Sequence, residues 1–184
     1  MATSTEARTV SASASAKSAS LVDIKSLVLL AILLAAGFIL NMTLGCALGI
    51  VGIKPQFIIA AYALTIILTR ANLLQAAIYA IVSAAVIQLT TSIPGLNFAT
   101  ELVAALLMSA LVKANVGGGK ANPLIAAFFT TLVSGALFAV LGTVLMGAEL
   151  ATAVVKVPIV LGTAVFNAIV VQALYFPLKK VLGN

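Results

Sequence analysis

From Leu27 to Phe176 the chain is almost continuously apolar, and its few polar residues fall in short breaks. Runs of roughly 17–25 apolar residues are what a helix needs to cross about 30 Å of hydrocarbon at about 1.5 Å per residue. In lipid every backbone N–H and C=O must be satisfied within the protein, which leaves helices or closed barrels. Continuous runs without alternation belong to helices. The composition makes the same point: 63% of residues are hydrophobic and 8% charged, against about 45–50% and about 25% in soluble domains. Mean hydropathy is +1.27. The expected fold class is an all-α integral membrane protein, a six-transmembrane-helix bundle.

The breaks place the spans. The first is expected over Leu27–Leu48, followed by a glycine-containing stretch ending at Lys54-Pro55, where proline suits a first helical turn. The second covers Pro55–Leu68 and closes at Arg70-Ala71-Asn72, and the third covers Leu73–Leu89. Thr90–Gly95, with Pro94-Gly95, separates it from the fourth, Leu96–Val112. Gly117-Gly118-Gly119-Lys120 reads as a flexible loop ended by Pro123, before a fifth span over Leu124–Met146. The sixth covers Ala153–Phe176 and is ended by Pro177 with Lys179-Lys180. Residues 1–22, rich in Ser, Ala and Thr, are expected to form a disordered tail. Residues 23–184 are expected to form one six-helix membrane domain.

Six crossings put both termini on one side. That side would hold Arg8, Lys17, Lys25, Arg70, Lys113, Lys120, Lys179 and Lys180, and the other only Lys54 and Lys156. Basic residues accumulate on the cytoplasmic side, so both termini are expected there. The net charge of +6 is spread singly among the breaks, unlike the stripe of a nucleic-acid surface. With no histidine there is no imidazole base or ligand, and with one cysteine, Cys46, no internal disulfide. Gly117–Lys120 lacks the phosphate-loop pattern, since Ala114 and Ala121 stand at its required positions. No metal site, cofactor or catalytic pair is legible, and the chain is not expected to be an enzyme.

Glu101 is the one acid between Asp23 and Glu149, about one turn inside the fourth span, with Asn97 on the same face. An ionisable group in a membrane helix is a functional candidate. A carboxylate favoured by the helix N-terminus accounts for it equally. Lys54 and Lys156 are the two basic residues that run against the topological trend; snorkelling to outer headgroups is the structural alternative. Lys156 is expected about one turn into the sixth helix, with Thr152, Thr163 and Asn167 on its face, pointing into the bundle. Gln56 and Gln88, and less so Asn41, are candidates to hydrogen-bond a ligand or to join helices. Phe57, Phe98 and Tyr62 are candidates to stack on an aromatic ligand. In the first span Ala31 and Ala35 form a small-xxx-small pair suited to close helix contact.

Taken together, the length, the six spans, Ala31-xxx-Ala35 and the polar residues of the outer breaks resemble the substrate-binding S components of energy-coupling factor (ECF) transporters. The resemblance covers Leu27 to the C-terminus. Lys54-Pro55 after a glycine-containing stretch, and Thr90–Gly95 followed by Asn97 and Glu101, look most like the tryptophan-transporter branch, with Gln56 where that branch carries an acid. The resemblance implies a subunit of the prokaryotic cytoplasmic membrane that captures a small solute at an outward-facing pocket. It implies tryptophan or another aromatic amino acid, or else a vitamin. It further implies contact through Ala31 and Ala35 with a membrane T component, and two separate ATPase subunits that supply the energy. A zwitterion would set its carboxylate on Lys54 (or Lys156) and its ammonium on Glu101. The alternatives are a stand-alone secondary permease, for which one core carboxylate is a poor ion-coupling site, and a non-transporting membrane scaffold.

Overall fold

The computed structural model describes residues 23–49 and 55–183, so the expectations for residues 1–22 and for Lys54 lie outside the described residues. Among the described residues the fold is all helix, with no strand. The elements are α1 (Ile24–Leu40), a π-helical segment (Asn41–Gly45), α2 (Cys46–Gly49), α3 (Phe57–Thr69), α4 (Leu73–Ile87), α5 (Leu96–Lys113), α6 (Gly118–Leu145), α7 (Ala151–Val155) and α8 (Val157–Val181). Four continuous helices are long and apolar enough to cross a membrane: Ile24–Gly49, Leu96–Lys113, Gly118–Leu145 and Val157–Val181. The apolar helices α3 and α4 are shorter, at 13 and 15 residues. Large apolar side chains such as Ile32, Ile81, Val165 and Ile169 are exposed on the outside of the bundle. Such an outer surface belongs against lipid, and the chain is a multi-pass membrane protein.

The middle of the bundle is α3. Every residue from Phe57 to Leu68 is buried, because α1, α4, α5, α6 and α8 all pack against this helix. Apolarity alone does not select this position, since α1 is about as apolar and buries only Leu30, Leu34 and Gly37; the surrounding helices do. Gly37 lets α1 reach α3: a Cβ there would lie 2.9 Å from the Phe57 carbonyl oxygen. The Asn41 side-chain oxygen then accepts from the Phe57 N–H at 2.9 Å. This satisfies one of the donors that the start of α3 leaves without an intrahelical partner. Arg70 at φ 48 turns the chain into α4, whose start carries a reciprocal capping box between Asn72 and Gln75.

Two proline boundaries differ from the sequence expectation. Gly118-Gly119-Lys120 is the first turn of α6, not a loop, and Pro123 lies inside that helix. The Asn122 amide holds the early start in place, donating to the carbonyls of Leu111 (3.2 Å) in the last turns of α5 and Val116 (3.0 Å) in the turn after it. Pro177 does not end α8, which continues to Val181. Proline removes one backbone donor, a loss that a helix packed among others in a membrane tolerates. The last expected span is instead broken at Lys156 into α7 and α8, just before Pro158.

Candidate functional site

The π-helical segment, the Ile87–Ile93 turn and the Met146–Lys156 connection meet at one end of the bundle around a cavity of about 880 Å³. This is within the range of pockets that hold small organic ligands. Its walls are largely apolar, with Ile59 of α3, Phe138 of α6 and Ile159 and Val160 of α8. Its polar groups come from several helices and from the Thr90–Ser92 turn.

Glu101 lines the cavity and is 2% exposed. Three hydroxyls donate to its carboxylate: Tyr62 of α3 at 2.8 Å, Ser134 of α6 at 2.6 Å, and its neighbour Thr100 at 3.4 Å. Burying a carboxylate in an apolar bundle is costly unless its oxygens accept hydrogen bonds, and these three supply them. One turn nearer the open end, the Asn97 side-chain oxygen accepts from the Thr91 hydroxyl at 2.7 Å, which leaves its amide hydrogens for another acceptor. Asn167 is buried outside the lining, its amide donating to the Gln56 carbonyl (3.1 Å) just before α3 and to Thr131 of α6 (3.3 Å).

Lys156 stands at the opposite extreme. It is exposed, lines the cavity, and its ammonium donates to Thr143 of α6 at 3.2 Å. The break before α8 aims it there. Pro158 has no N–H for the Val154 carbonyl and its ring crowds that carbonyl; at this break the Lys156 N–H bonds three residues back, to Ala153. Thr163 and Lys156 therefore share the cavity, whereas Thr152 leaves the expected stripe and donates to the Glu149 carbonyl at 2.7 Å.

Of the residues singled out in the sequence, Gln56, Asn97, Glu101 and Lys156 are brought together at the cavity, and Asn41 joins them. Gln88, Phe57 and Phe98 are not among its lining residues. The Gln88 side-chain oxygen accepts from the Gly95 N–H at 2.9 Å and staples the Thr90–Gly95 turn. Phe57 is buried and meets Phe166 edge to face at 5.7 Å, while Phe98 is exposed on α5. The phenylalanine that does face the cavity is Phe138, and Tyr62 serves as a donor to Glu101. Ala31 and Ala35 are exposed on α1. Sequence reading missed Ser134 and Thr131. The cluster Thr130-Thr131-Ser134 in an otherwise apolar run was the available signal.

The arrangement can seat a solute whose cationic or N–H-bearing group meets Glu101 and whose acceptors meet Asn97 and Lys156. Among the described residues no group of three potential metal-ligating side chains exists. Comparison with protein-family models, with curated proteins and with solved structures finds no match to this chain.

Proposed function

We propose that the protein is the substrate-binding subunit of an ECF-type importer, capturing a small solute at an outward-facing pocket for uptake powered by separate ATPase subunits. The observation that carries this reading is a buried carboxylate, held by three hydroxyls, that still lines a cavity open at one end of a lipid-embedded bundle. One carboxylate suits binding better than proton coupling or catalysis. In this reading α3 and α4, roughly 20 and 22 Å long, complete six crossings, with both termini in the cytoplasm of a prokaryote. Arg70, Lys113, Lys120, Lys179 and Lys180 then mark the cytoplasmic end and Lys156 the outer one. Ala31 and Ala35, exposed on α1, are the surface offered to the T component.

The solute carries a positively charged or N–H donor group for Glu101. Aromatic amino acids, tryptophan first, and vitamins both qualify. Two measurements test the proposal. Mass spectrometry of the small molecule that copurifies with the protein should find such a compound, and its binding should be lost in Glu101→Gln. Uptake should require the ECF module and should fail in Ala31→Leu/Ala35→Leu while solute binding persists. Uptake that continues in cells without the module would instead favour a stand-alone permease.

A further inference from the structure

Helix α6 acts as a ruler between the two charged ends of the cavity. Ser134 holds Glu101 and Thr143 holds Lys156, and both hydroxyls belong to this uninterrupted helix. They stand nine positions apart, about 13.5 Å along the axis and two and a half turns round it, so roughly 14 Å between their Cα atoms and no less between hydroxyls that point outward from opposite faces of the helix. Leaning both hydrogen bonds, 2.6 and 3.2 Å long, fully toward each other shortens the gap between carboxylate and ammonium by no more than those lengths.

An α-amino acid carries its ammonium and carboxylate on one carbon, about 3 Å apart. With a hydrogen bond of about 2.8 Å at each end it reaches less than about 9 Å. It meets both Glu101 and Lys156 only at the extreme limit of that reach, with every bond in line. The cavity that holds both charges is also lined by Ile59, Phe138, Ile159 and Val160, which favour an apolar body, and by Asn97, whose amide can meet an acceptor.

We infer that the ligand is an elongated acid: a cationic or N–H-bearing head at Glu101, an apolar body, and a carboxylate at Lys156 about 1 nm away. The head enters first, because Glu101 is buried and Lys156 is exposed at the mouth. This rests on the cavity being a solute site, and it displaces the free α-amino acids of that reading, tryptophan included, in favour of longer carboxylic acids.

The test uses the full chain purified in detergent and a graded probe, unbranched ω-amino acids from glycine to aminoundecanoic acid, with binding read by calorimetry and by the rise in Tm. Affinity should climb with chain length and peak among the longer members. Lys156→Met, at an exposed position that leaves folding undisturbed, should weaken the long members at least tenfold and leave glycine unchanged. Glu101→Gln should weaken all members that bind. The inference is overturned if glycine or other α-amino acids bind as tightly as the long members, if Lys156→Met leaves the long members unaffected, or if no member binds. A parallel Tm screen of α-amino acids and vitamins separates these failures. A hit there without a length dependence in the series removes the elongated ligand and keeps the solute site, and no hit in either removes both.

Discussion

At the scale of single residues, Glu101 is a carboxylate whose surroundings are specified from three directions. Tyr62, Ser134 and Thr100 all donate to it. Glutamine keeps an acceptor oxygen for these hydroxyls, whereas leucine leaves buried donors unmet, at about 1–3 kcal/mol each. Glu101→Leu should therefore lower the thermal midpoint well below that of Glu101→Gln, measured in detergent without ligand; equal midpoints would mean that the hydroxyls find other partners. Asn41 makes a similar case on a smaller scale. Its oxygen accepts from the Phe57 N–H, so Asn41→Ala should cost about 1 kcal/mol, as the loss of a helix cap does. Glu101 was legible in the sequence because an acid stands out in an apolar run. Its partners were not, since serine, threonine and tyrosine are ordinary in membrane helices and declare their purpose only when a neighbouring helix brings an acceptor.

Elements in this fold are defined by how closely they approach. The helix pair α1–α3 depends on Gly37, where a methyl group would sit 2.9 Å from a backbone oxygen that has no rotamer to give way. Gly37→Ala should destabilise the protein by about 1–3 kcal/mol, read as a lowered thermal midpoint. Ala36→Val on the lipid-facing side of the same helix should change it little. Helix breaks follow a similar logic. Pro158 splits α7 from α8 because the lost donor falls beside an exposed connection, where the chain has room to shift. Pro123 and Pro177 interrupt nothing, because the helices around them continue to pack against neighbours: Asn122 holds the end of α5, and Gln172 of α8 donates to the Lys120 carbonyl of α6 at 2.9 Å. Reading a proline as a boundary is sound only where tertiary contacts do not override it.

For the molecule as a whole, the proposed orientation makes opposite ends chemically distinguishable. Cys46 is the chain's one cysteine, is exposed, and lines the cavity. In intact cells a membrane-impermeant maleimide should label it. A cysteine placed at Arg70 in a Cys46→Ser background should react only after the membrane is opened. The reverse pattern would invert the topology and place the cavity in the cytoplasm. Bound solute should slow the labelling of Cys46, since the thiol shares the wall of the site.

What the sequence determined by itself is what depends on local composition. Long apolar runs without alternation dictate helices in lipid, because the backbone there must be satisfied within helices or closed barrels and a barrel's strands alternate. The scatter of lysines and arginines supplies the charge asymmetry between the two ends, and the lone acid marks a polar point inside the bundle. The tertiary structure alone decided which helix lies at the centre, which side chains meet Glu101, and how far Lys156 stands from it. A helix such as α3, apolar on every side, has no pattern from which its rotation or its neighbours can be read. Its Tyr62 meets Glu101 across 39 positions of sequence, and Ser134 does so across 33. Those meetings are settled by how closely the helices pack, through residues as small as Gly37, and no local pattern records them.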